Sequence, residues 1–283
     1  MKAKTIKAIL RKKTDDWLST IEDDAVRALA RKNTIITGGC IASMLLQEKV
    51  NDYDLYFRNA ETAYQVANYY ITKYNDEVGG DISLIDDREE DRIAIMVQSV
   101  GIEGTKEDEA GSPDVQGDDL EVPTQVETGR YRPVFFSMNA ISLSNKIQLV
   151  TRFYGEPDQI HENYDFVHCT NSWDSWTGKL TLRPDALESL LTRELRYVGS
   201  KYPLCSIIRT RKFVARQWTI NAGQYVKMAF QLQEHDLNDP AVLEEQLTGV
   251  DIHYFFEVIT ALKERDSKRV DTAYLMEVID RIF

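Results

Sequence analysis

Between residues 34 and 57 the chain runs from a short β-branched stretch, Thr34 to Thr37, through Gly38-Gly39 and a segment of helical period at 41–47 to a strand-like run that begins Asp52-Tyr53-Asp54. This order of strand, glycine turn, helix and returning strand constrains the fold more than any other feature. It excludes an all-helical or an all-β head and puts the glycines at the start of a helix. There the missing side chains let a phosphate approach the backbone N–H groups and the positive end of the helix dipole. Strand alternation places Asp52 and Asp54 on one face, with Cα atoms roughly 6.6 Å apart at ~3.3 Å per residue. Two carboxylates so placed suit a shared Mg²⁺ or Mn²⁺, the kind of ion that takes carboxylate and phosphate oxygens together. The competing reading of the tripeptide alone is a solvated turn before a strand.

The surrounding pattern predicts a mixed α/β first half and a helical second half. Helical spacing is expected at 15–31 and 60–74, and strands at 81–85, 92–97, 134–143, 147–153 and 164–169. After Pro184 the period becomes helical at 186–198, 204–219, 224–234, 242–247, 252–262 and 272–282. The expected division is a head over residues 1–177 and an all-helical domain over 178–283. No apolar run approaches the roughly 18 residues a membrane span needs. The Lys-rich first thirteen residues hold only Ile9-Leu10 as an apolar core, too short for a secretory leader, so a cytoplasmic protein is expected. Cys40, Cys169 and Cys205 form no C-x-x-C pair, which points away from disulfide frameworks and thiolate zinc sites.

A net charge of -12 would argue against an anionic partner were it evenly spread, and it is segregated. Residues 101–130 hold nine acids against Lys106 and Arg130, with glycines and prolines and little apolar content, and are expected to be a mobile acidic insertion. Residues 175–231 hold ten bases against Asp185, Glu188 and Glu194. Arg209, Lys212 and Arg216 share a helical face at i, i+3 and i+7, and Arg193 with Arg196 form another i, i+3 pair. These five are the candidate phosphate contacts, for which RNA is the expected partner, the bland alternative being a solvated helix surface.

The stretch Thr37-Gly38-Gly39-Cys40-Ile41, continuing to Asp52-Tyr53-Asp54, resembles the head motif of the polymerase-β-like nucleotidyltransferases, especially the poly(A) polymerase and CCA-adding group. Phe136-Ser137-Met138-Asn139-Ala140-Ile141 is similar to that group's second motif, and the whole resembles nucleotidyltransferase-like proteins of tailed bacteriophages. Ala42-Ser43 stand where the CCA-adding group has Arg-Asp, and Arg132 alone remains of the Arg-Arg-Asp that precedes the second motif.

The resemblance implies an α+β fold, a mixed-sheet head followed by a helical domain. It implies a metal-dependent transfer of a nucleoside monophosphate from a nucleoside triphosphate, ATP being expected, to an acceptor hydroxyl such as an RNA 3′ end. Asp52 and Asp54 would be catalytic metal ligands, and Gly38, Gly39, Arg132 and Asn139 nucleotide contacts. Asp165 is the expected third carboxylate, with Asp81, Asp86 and Asp87 as rivals and a structural acid as the other reading. AMPylation of a protein hydroxyl is a variant of the same chemistry. The alternative from another class is an inactive head used for protein–protein contact or assembly.

Overall fold

The computed structural model describes residues 1–87, 92–97, 131–137, 139–247 and 276. The acidic stretch 101–130 and the helices expected at 252–262 and 272–282 lie outside the described residues, Met276 excepted. Two compact units are present: Met1–His161 with His168–Leu187, and Glu162–Val167 with Glu188–Phe283.

The first unit opens with helices α1 (Ala3–Leu18) and α2 (Asp24–Asn33) in place of the one helix expected at 15–31. The break has a local cause: Asp23 takes an extended conformation and its carboxylate accepts the N–H groups of Ala25 and Val26, capping a new helix. Strand β1 (Thr34–Thr37), helix α3 (Gly39–Leu46) and strand β2 (Tyr53–Phe57) follow in the expected order, then helix α4 (Ala60–Val78). Strands β3 (Ile82–Asp87) and β4 (Arg92–Val97) form a separate antiparallel pair. Where one strand was expected at 134–143 there is a hairpin, β5 (Pro133–Ser137) and β6 (Ala140–Leu143). Its turn is fixed by Ser137, whose Oγ bonds both the N–H and the carbonyl of Ala140 at 3.1 Å. Strand β7 (Ile147–Tyr154), helix α5 (Pro157–His161), and strands β8 (Ser172–Asp174) and β9 (Leu180–Thr181) complete the unit.

The seven-stranded sheet runs β5-β6-β7-β2-β1-β8-β9; β2 and β7 are parallel and all other neighbours antiparallel, so the sheet is mixed and the architecture α+β. One face carries Ile36, Leu55, Phe57, Ile141, Leu143, Ile147, Leu149 and Trp173. These pack with Ile6, Leu10, Trp17 and Leu18 of α1 and with Ala63, Val66, Ala67 and Tyr70 of α4 into a continuous buried cluster. A period of two then fixes what the opposite face presents, because each core residue is flanked by a neighbour pointing the other way.

Among the described residues of the second unit the strands are β10 (Glu194–Leu195) and β11 (Thr219–Ile220), a two-residue parallel pair. Around them lie helices α7 (Pro203–Ala215), α8 (Ala222–Leu232) and α9 (Pro240–Leu247). The helix expected at 186–198 is α6 (Pro184–Thr192), which ends where Arg193 adopts a left-handed φ of 50°. Residues 164–169 contain no strand; Phe166 makes a single bridge to Tyr197 and stacks edge-on against Phe213 with ring centroids 5.5 Å apart. Among the described residues no helix is long and apolar enough to cross a membrane.

Candidate functional site

On the face of the sheet opposite the helical core, five neighbouring strands each contribute a polar residue to a single row. Thr37 of β1 pairs with Asp54 of β2 and with Ser172 of β8; Asp54 pairs with Gln148 of β7, and Gln148 with Ser142 of β6. Paired residues share a face, so Ser142, Gln148, Asp54, Thr37 and Ser172 form a transverse stripe at ~4.8 Å spacing. Asp54 at the centre is half-buried, and Asp52, two residues earlier and just before β2 begins, is exposed. The expected carboxylate pair thus lies at the end of β2, beside the glycine turn.

Gly38 has φ 90° and ψ −154°, a conformation closed to residues with a Cβ, and its N–H donates to the carbonyl of Cys169 at 3.1 Å. Gly39 opens α3, and a Cβ built there meets nothing within 4 Å. Protein packing therefore does not require a glycine at 39, and the space over its backbone is open to an incoming group. Cys40 is buried next to it; burial first, then the negative charges of Asp54 and Asp52, hold its thiol well above the usual range. The thiol stays protonated at neutral pH.

Beneath the turn, the Thr37 hydroxyl lies 2.8 Å from His161 Nε2, 2.8 Å from the Asn171 carbonyl and 3.3 Å from the Cys169 carbonyl. The two carbonyls can only accept, so the hydroxyl proton goes to one of them and His161 donates through Nε2. Burial lowers the pKa of His161 to about 4, consistent with a neutral imidazole. This network ties β1, α5 and the chain before β8 into one support for Gly38.

On the other side of β2, Lys13 of α1 donates to the carbonyl of Asn145 and sits 5.0 Å from the Tyr53 ring and 5.4 Å from the Tyr131 ring. Burial lowers its pKa. Asn145 and Lys146 both have left-handed φ values, and the Lys146 carbonyl accepts Tyr53 N–H at 2.7 Å, so this turn fixes the strand that carries Asp54.

The remaining expected residues are spread out. Arg132 is exposed and precedes β5, three strand spacings or ~14 Å across the sheet from β2. Asn139 occupies the β5–β6 turn, where its carbonyl accepts the Thr151 N–H and hydroxyl. Asp165 belongs to the second unit; its carboxylate accepts from Arg209 at 2.9 Å and from Phe166 N–H at 3.1 Å. Arg196 donates to Glu188 at 2.7 Å and lies 3.9 Å from Glu194, and Arg193 reaches the Arg216 carbonyl at 3.3 Å. Lys212 lies in the last turn of α7, and Arg216 follows its last residue. Among the described residues, no group of three or more His, Cys, Asp or Glu side chains could hold a metal ion. Reading the sequence did not single out Gln148 or His161. The signal for Gln148 was present in the alternation Ile147-Gln148-Leu149-Val150-Thr151; that for His161 was not, since its partner lies 124 residues away.

The mixed sheet and its helices define an α+β protein in which two aspartates stand beside a glycine turn at a helix start. The chain belongs to the Gabija anti-defense 2 family, whose model matches residues 8–193. It is 20% identical over 236 residues to "Gabija anti-defense 2" of Bacillus phage SPbetaL7, covering 81% of this chain and 44% of that protein; the chain thus spans less than half the length of this relative. Similar solved structures include the Thermotoga maritima CCA-adding enzyme complexed with tRNA (13% identity, TM-score 0.40, 77% of this chain and 44% of that one). The Bacillus stearothermophilus CCA-adding enzyme in complex with CTP is another (12% identity, TM-score 0.41, 82% and 49%).

Proposed function

We propose that the first unit is a metal-dependent nucleotidyltransferase head serving a phage counter-defence protein in the cytoplasm of its bacterial host. The observation that carries this reading is the register Thr37–Asp54, which sets the Asp52/Asp54 pair against the Gly38-Gly39 turn. Asp52 and Asp54 would hold Mg²⁺ or Mn²⁺, and the donor chemistry fits: two carboxylates on one face, with the nearby thiol protonated. When bound, such an ion neutralises the triphosphate and acidifies the acceptor hydroxyl. The backbone N–H groups at Gly39 and the start of α3 receive phosphate oxygens in the open space over residue 39. The acceptor oxygen attacks the α-phosphorus, the bond to the β-phosphate oxygen breaks, pyrophosphate leaves, and the acceptor's proton passes to water. ATP is the proposed triphosphate. Arg132 and Asn139 are proposed to touch it only if it lies across the sheet, and Asp165, held by Arg209, is proposed to act as a structural acid of the second unit.

The acceptor proposed is an RNA 3′ end, recognised by Lys212, Arg216 and Arg193 with contributions from Arg196 and Arg209; transfer to a protein hydroxyl is the variant. A second reading, a head that binds a defence protein without catalysis, is favoured by the family to which the chain belongs and by Ala42-Ser43 at the start of α3. A ligand-induced rise in melting temperature separates them. ATP with Mg²⁺ stabilises the wild-type protein and not Asp52→Asn/Asp54→Asn under the catalytic reading; equal melting curves with and without ATP leave the partner-binding reading.

A further inference from the structure

Gln148 sits in the row beside Asp54 and was assigned no role above. It is the register partner of Asp54 across the parallel β2–β7 pair, half-buried, on the face that also carries Thr37. Strand neighbours lie ~4.8 Å apart, so a glutamine amide at this position reaches what an adjacent carboxylate holds. Two carboxylates leave most positions around a hard divalent ion to other oxygens. Among the described residues no third His, Cys, Asp or Glu side chain groups with them, and uncharged oxygen donors stand beside the pair. Two side chains next to Asp54 carry an oxygen donor without charge, and the Thr37 hydroxyl is engaged by His161 and the carbonyls of Cys169 and Asn171, which leaves that of Gln148.

We propose that Gln148 supplies a neutral third oxygen, Oε1, to a divalent ion held by Asp52 and Asp54. The site then carries two negative charges rather than three, and its substrate is a metal–polyphosphate complex rather than the free ion. The inference rests on the reading of Asp52 and Asp54 as metal ligands. A two-charge site attracts a bare divalent ion weakly, and a triphosphate supplies the missing anionic oxygens when the two bind together. The amide also keeps the row free of a third carboxylate, which would crowd like charge around Asp54 whenever the ion leaves.

The test is Mn²⁺ binding to the full chain, followed by the loss of the free-ion paramagnetic signal, with and without a non-hydrolysable ATP analogue. Wild type is expected to bind Mn²⁺ weakly alone and at least about tenfold more tightly with the analogue. Gln148→Glu, near-isosteric and adding one charge, is expected to tighten binding of the free ion by about tenfold and to abolish most of the dependence on the analogue. Gln148→Ala is expected to weaken binding in both conditions, and circular dichroism on each variant establishes that it is folded. If Asp54→Asn removes Mn²⁺ binding while both Gln148 variants bind as wild type does, Gln148 is not a ligand and this inference is overturned. If Asp52→Asn/Asp54→Asn binds Mn²⁺ as wild type does, the carboxylate reading itself fails, and the inference with it.

Discussion

The head and the second unit handle charge in opposite ways. In the head, the carboxylates fall at the end of a strand, beside a glycine turn, on the face of the sheet that the apolar helices do not cover. In the second unit, arginines that form a basic stripe in the sequence engage acids of the same unit: Arg209 with Asp165, Arg196 with Glu188 and Glu194. Asp165 is the most buried acid of these pairs, its side chain 12% exposed. The contrast teaches that a run of like charge in sequence is not a free surface, whereas alternation on a strand, with one face claimed by the core, does fix what the other face offers.

The sharpest way to break that comparison is to remove charge from each region in turn. Asp54→Asn is expected to lower nucleotidyl transfer by at least about 100-fold with little change in melting temperature, since the group is half-buried near a strand end, away from the helical core. An equal loss of stability and activity would make Asp54 structural.

The buried imidazole gives the next effect. Because burial holds the folded pKa of His161 at about 4, below the ordinary imidazole value of 6.5, the unfolded chain takes up the proton first as pH falls. Stability from this group is intact above pH 6.5 and is lost progressively toward pH 4, by roughly 3 kcal/mol in all. Urea melts of wild type and His161→Gln at pH 7 and pH 4.5 should show a smaller acid loss in the variant; parallel losses would mean that other groups set the acid limit.

The two glycines separate backbone from ligand requirements. Gly38→Ala forces a Cβ into a φ of 90° and is expected to cost about 1–3 kcal/mol in denaturant melts. Gly39→Ala meets no protein atom, so its expected effect is on nucleotide affinity with stability nearly unchanged. Similar melts for both variants would remove the distinction. Smaller again is Arg209→Ala, which leaves Asp165 without its guanidinium and is expected to cost about 1–2 kcal/mol while ATP binding by the head is unchanged. A lost ATP response in that variant would give Asp165 and Arg209 a part in the nucleotide site.

The order β1, glycine turn, α3, β2 was legible because each element is specified locally: β-branched residues, paired glycines, a helical period, then alternation. The single strand expected at 134–143 proved to be a hairpin because Ser137 and Asn139 provide turn chemistry inside an apolar run. The helix expected at 15–31 broke at a cap whose residue, Asp23, looks in sequence like any early acid. The pairing of Asp54 with Gln148 was not legible, since it depends on β7 returning parallel to β2 at a separation of 94 positions. Nor were the ion pairs of Arg196 and Arg209, for which tertiary contacts within the second unit decide the partners.

The central claim is that Asp52 and Asp54, with the glycine turn, make a working nucleotidyl-transfer site. Purified protein incubated with each α-labelled nucleoside triphosphate, Mg²⁺ and a mixture of small RNAs and host protein, beside Asp52→Asn/Asp54→Asn, tests it most directly. The account predicts label in RNA or in protein with the wild type alone, strongest with ATP. No label from a folded wild-type protein, or equal label from the variant, would contradict it.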